Sequence, residues 1–115
     1  MGYLIYGGKE RFEVDDRQLA HVKAAIHSKL RRKECFVLNW PDPGRGRTSV
    51  WISPSVPLMF HFSGSRRPSL NSKWVQVMEH MADTPRGLTL ITEEEANKLL
   101  RERDRSSARS ATEPQ

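Results

Sequence analysis

Cys35 is the sole cysteine among 115 residues, so no intrachain disulfide can form and packing alone must hold the fold. No apolar run approaches the roughly 20 residues that a membrane-spanning helix needs. The opening segment, residues 1–6, has no basic flank and too short an apolar stretch for a secretory signal. Tyr3 after Gly2, and Gly7 where serine or threonine would be wanted, argue against myristoylation. A cytoplasmic protein with no membrane contact is the expectation, because a lone thiol suits a reducing compartment.

The chemistry-bearing motifs are missing as well. Gly-x-Ser-x-Gly does not occur, and Gly44-Arg45-Gly46-Arg47 is neither a phosphate-binding P-loop nor a dinucleotide fingerprint. His21, His27, His61 and His80 include no pair four residues apart, so a helical zinc site has no basis. Asp15-Asp16 reads as helix capping rather than acid–base machinery. No catalytic residue, metal ligand or cofactor is therefore assigned.

What is present is punctuation and periodicity. Tyr3–Tyr6 and Arg11–Val14 flank Gly7-Gly8, which favours a tight hairpin. Leu19, Val22, Ile26 and Leu30 recur at helical spacing behind the Asp15-Asp16 cap. Cys35–Trp40, Thr48–Ser53 and Leu58–Phe62 alternate like strands between Pro/Gly-rich breaks. Trp74, Val77, Met78 and Met81 share a face of a second helix capped by Asn71 or Ser72, and Leu88–Ile91 reads as a further strand. Thr92-Glu93-Glu94-Glu95 opens a third helix with a capping box.

The sum is an α+β domain in ββαβββαβα order. An antiparallel sheet of five to six strands is packed by two amphipathic helices, followed by a C-terminal helix and a disordered tail. Residues 1–91 form the compact domain, 92–105 the helix and 106–115 the tail. The expected core is Leu4, Leu19, Val22, Ile26, Leu30, Phe36, Leu38, Trp51, Phe60, Phe62, Trp74, Val77, Met78 and Leu90.

Charge is concentrated in the first part of the chain. The whole sequence has 19 basic and 14 acidic residues, and the mixed-charge segment 93–115 leaves 14 basic against 8 acidic in residues 1–92. Such a domain attracts polyanions, so nucleic acid or another acidic macromolecule is the expected partner. If the central strands run as a continuous meander, Arg45, Arg47, Arg66 and Arg67 gather around the helix start at Asn71-Ser72 and form an anion site. Lys29, Arg31, Arg32 and Lys33 make a secondary basic patch. The alternative is an adaptor for an unknown protein partner, using Trp40, Trp51 or an exposed strand edge.

Several segments carry a family resemblance: Leu4-Ile5-Tyr6-Gly7, Asp15-Asp16-Arg17-x-Leu19-Ala20-His21-x-Lys23, Lys29-Leu30-Arg31-Arg32 and Phe36-x-Leu38-x-Trp40. They continue as Trp51-x-x-Pro54-Ser55-x-Pro57-Leu58, Phe60-x-Phe62-x-Gly64-Ser65-Arg66 and Leu70-Asn71-x-x-Trp74. With these the chain resembles a family of short uncharacterised actinobacterial proteins often automatically labelled "ATP-dependent DNA ligase". By that label the resemblance implies ligase-related activity. A nucleotidyl-transferring ligase uses the lysine of Lys-x-Asp-Gly, and none of Lys9, Lys23, Lys29, Lys33, Lys73 or Lys98 has aspartate two residues on. The residues themselves point to a small basic non-catalytic binding module associated with nucleic acid, a DNA accessory protein.

Overall fold

The computed structural model describes residues 1–42, 44 and 46–112. Arg45 of the expected anion site lies outside the described residues, as do 113–115 of the expected tail. The α+β class and the element order are those read from the sequence. β1 (Gly2–Tyr6) and β2 (Glu10–Val14) form an antiparallel hairpin. Gly7 and Gly8 both take positive φ, 60° and 75°, as the tight turn requires. α1 (Asp16–Arg31) begins where the Asp15 carboxylate accepts from the Gln18 N–H at 2.8 Å. It ends in a Schellman motif, with the N–H groups of Lys33 and Glu34 returning to Leu30 and Lys29.

β3 (Phe36–Asp42) and β4 (Gly46–Ile52) make a second antiparallel hairpin, followed by β5 (Leu58–His61). α2 (Ser72–Ala82), β6 (Leu88–Thr89) and α3 (Glu93–Thr112) complete the chain. α3 continues past Arg105, where the sequence placed its end, and neither glycine nor proline occurs before Pro114 to stop it.

The single sheet is corrected to two three-stranded sheets, β2-β1-β5 and β4-β3-β6. The expected meander breaks at 53–57, where Pro54 and Pro57 have no N–H to continue a ladder beside β4. β5 instead joins β1, Tyr6 opposite Leu58, and the Gly7 N–H donates to the Pro57 carbonyl at 2.9 Å. The second sheet is not purely antiparallel either, since β6 lies parallel to β3 through Leu38↔Leu88 and Asn39↔Thr89.

The sheets meet at the Phe12 and Trp40 rings, 5.2 Å apart, and at the Tyr6 hydroxyl, which donates to the Trp51 carbonyl at 2.6 Å. Leu4, Leu19, Val22, Ile26, Phe36, Leu38, Ile52, Trp74, Met78 and Leu88 fill the core. Leu30, Phe60, Phe62 and Val77 pack at its margin. Trp51 is a correction: it is 55% exposed while Ile52 is fully buried. Strand period two decides this, because Phe36↔Ile52 and Leu38↔Val50 face inward and Val37↔Trp51 outward. Trp40, expected at a docking surface, is buried instead.

Candidate functional site

α1 buries the stripe containing Leu19, Val22 and Ile26 and leaves a second flank, Asp16, Arg17, Ala20, Lys23, Ala24 and His27, toward the chain that follows β5. That following chain, residues 62–71, has no regular structure of its own, yet α1 fixes it at several points. The Asp16 carboxylate accepts from the Ser63 and Gly64 N–H groups at 3.2 and 2.9 Å. Arg17 donates to the Ser69 carbonyl at 2.9 Å. His21, fully buried, donates from Nδ1 to the Arg17 carbonyl and accepts the Asn71 N–H on Nε2 at 2.8 Å, which fixes its tautomer. Its ring stacks on Trp74 at 4.2 Å, tying the clamp to the core.

Glu93, at the start of α3, closes the network. It accepts from Arg17 at 2.8 Å and from the Asn71 side-chain amide at 2.9 Å. The hydrogen bond from Arg17, with that of Asn71, holds the Glu93 carboxyl below its ordinary pKa, and the bond to Glu93 in turn raises Arg17. The Gly64 N–H is the main reason that Asp16 is also lowered.

Between these anchors, Ser65–Pro68 arches away from α1. The result is an open cleft of about 550 Å³, with Ala20, Lys23, Ala24 and His27 on one wall and Phe62, Gly64–Pro68 and Leu70 on the other. Arg66, Arg67, Lys23 and His27 are exposed. Among the described residues, no carboxylate pairs with Lys23, Arg66 or Arg67.

The structure thus brings Arg66 and Arg67 together with Lys23 and His27, which the sequence reading did not include. Arg47 does not line this cleft; it stands on β4 in the other sheet, opposite Pro41. Asn71 is committed within the protein, its side-chain oxygen accepting from the Lys73 N–H at 3.1 Å and its amide bound to Glu93. Ser72, exposed, begins α2. The secondary patch is reduced, because Lys29 is 1% exposed and bonded to Glu34 and Asp83, and Arg32 pairs with Glu34 at 3.4 Å. Arg31 and Lys33 remain exposed. The missed signal was the spacing of Ala20, Lys23/Ala24 and His27, a small and basic stripe beside the apolar one.

A smaller hollow of about 400 Å³ separates β2 from the β3–β4 hairpin, rimmed by Glu10, Glu13 and Asp42. Arg11 answers Glu13 there at 3.2 Å. Among the described residues no group of three or more His, Cys, Asp or Glu side chains is placed to hold a metal ion.

Removing the Asp16 carboxylate is expected to loosen the arch without unfolding the domain. In Asp16→Ala, the amides of Ser63 and Gly64 should exchange faster with solvent while core amides keep their protection. Because Asp16 has a lower pKa folded than unfolded, its contribution is present above the ordinary aspartate value. It is lost as pH falls through the depressed one. Exchange at Gly64 followed against pH checks this, and equal rates in both proteins would show that the contact does not hold the arch.

One antiparallel and one mixed three-stranded sheet, two packed helices and a clamped basic arch define a small α+β domain with an open cationic cleft. Residues 1–93 match the family described as "Domain of unknown function (DUF7882)", and the chain belongs to that family. The matched span contains every residue of the clamp and the cleft. No curated protein and no solved structure matches the chain. Among the described residues no helix is long and apolar enough to cross a membrane.

Proposed function

We propose that this domain is a non-catalytic binding module for an acidic polymer, nucleic acid first, acting in the cytoplasm. The observation that supports the reading is the clamped arch. Arg66 and Arg67 are carried on a loop fixed at Gly64, Ser69 and Asn71, opposite Lys23 and His27. A loop whose backbone is already fixed has less conformational freedom to lose on binding than a mobile one. Guanidiniums suit the planar, two-point geometry of phosphate contacts. A role as a DNA accessory protein fits this reading better than ligation, for which the lysine motif is missing. Incubation with labelled ATP should leave no covalent lysine adduct.

The test is fluorescence anisotropy with short oligonucleotides from low to physiological salt. Each phosphate contact made releases counterions and adds about −0.9 to the log–log salt slope on duplex and about −0.7 on single strands. Arg66→Ala with Arg67→Ala should flatten the slope by roughly one to two units. An unchanged slope would move the contact to Arg47 or to Arg31, Arg32 and Lys33. Failure to bind at low salt would leave the second reading, a protein adaptor. The observation favouring that reading is Trp51, exposed on β4 at the rim of its sheet.

A further inference from the structure

Part of the cleft lining has no use in a purely ionic contact. Leu70 is 57% exposed, Phe62 and Pro68 are half-buried, and Ala20 and Ala24 keep the α1 wall low. The Lys23 ammonium lies 5.6 Å from the centre of the Phe62 ring, so a cation and an aromatic surface stand side by side.

Building on the acidic-polymer reading, we infer that the cleft takes single-stranded nucleic acid, an unstacked base lying against Phe62, Pro68 and Leu70 while the flanking phosphates meet Lys23, Arg66 and Arg67. A duplex keeps its base faces in the stack and presents a protein with phosphates and groove edges. Against a duplex the apolar wall would gain nothing. An unpaired strand offers both groups in each unit, a flat apolar base and an anionic phosphate. An acidic peptide carries charge and apolar surface on separate residues, so it fits one patch or the other less closely. The cleft volume falls within the roughly 300–1,000 Å³ typical of sites for compact organic groups. That suits a base with its sugar and is far too small to admit a double helix. His27 at the rim and the Arg67 guanidinium add further planar groups on which a base can stack.

Three labelled probes of equal length test this on the full chain: oligothymidine, its duplex with oligoadenine, and an abasic oligodeoxynucleotide. Oligothymidine should bind roughly tenfold tighter than the abasic strand, which has the same phosphates and no bases. Leu70→Ser, at an exposed position that does not endanger the fold, should remove most of that advantage and leave abasic binding unchanged. Arg66→Ala with Arg67→Ala should weaken both. Equal affinity for the abasic strand and oligothymidine would overturn the base contact while sparing the phosphate reading. Tighter duplex binding would overturn the single-strand assignment. Displacement by polyglutamate as readily as by oligothymidine would favour an acidic protein partner, and no binding of any probe at low salt would remove both readings together.

Discussion

Lys29→Ala should destabilise the domain by about 2–4 kcal/mol, whereas Lys29→Met should cost little. Lys29 is 1% exposed, which is rare for a lysine, and its ammonium reaches Asp83 and, at 2.6 Å, Glu34. It stands in the last turn of α1 and bonds the C-cap residue of α2, so one cation serves two helix ends where the dipoles are negative. Alanine removes the buried stem and leaves a cavity. Methionine refills most of that volume, while both carboxylates, being substantially exposed, can return to water.

The pH dependence separates charge from packing. Burial by itself would lower the Lys29 pKa, but the hydrogen bonds to Asp83 and Glu34 outweigh it and raise the value. The contribution is therefore complete below the ordinary lysine pKa, about 10.4, and is lost as pH rises through the raised value. Asp83 is lowered, chiefly by its hydrogen bond from Lys29, so its share is present above about 3.9 and lost as pH falls through the depressed value. Urea midpoints followed by tryptophan fluorescence should show both limbs in the native protein; in Lys29→Met the alkaline limb should disappear and the acid limb shrink to the share of Asp16 and Glu93. A Lys29→Met variant as unstable as Lys29→Ala would mean that the charge, rather than the stem, holds the helix ends.

Gly87→Ala should cost about 2–4 kcal/mol. Gly87 has φ of 83°, which L side chains rarely adopt, and it is buried against β3. A Cβ there would lie 2.4 Å from the Val37 carbonyl oxygen and 2.8 Å from the Val37 Cβ. Backbone cannot swing aside as a flexible side chain can, so β6 must withdraw from β3. The Asn39 side chain, which donates to the Arg86 carbonyl at 2.7 Å, would lose its place too. Thermal unfolding should show a lowered midpoint, with Leu88 and Thr89 amides losing protection first. An unchanged midpoint would show that the 84–87 turn relaxes freely and does not set the β3–β6 pairing.

Much of the fold was legible because local rules were strong. Asp15 as a cap, the spacing of Leu19, Val22 and Ile26, the Gly7-Gly8 turn and the alternation in 36–40 each specify an element from a few neighbouring residues. Pairing between strands is different, since it depends on segments far apart in the chain. Nothing local to Leu58–His61 says that it will leave β4 for β1, although Pro54 and Pro57 were the available warning. Trp51 and Ile52 differ only in register, and one step of register sends one side chain inward and its neighbour out.

The candidate cleft divides in the same way. The sequence by itself determined that the domain is basic and that Arg66 and Arg67 sit in an irregular segment after a strand. Only the tertiary structure decided that Asp16, Arg17 and His21 would grip that segment and set it against Lys23 and His27. It also took Lys29 out of the basic surface and committed Asn71 to Glu93. The physical reason is reach: periodicity and capping act over three or four residues, whereas these hydrogen bonds and ion pairs join groups separated by 22 to 54 positions and exist only once the core has brought their elements together.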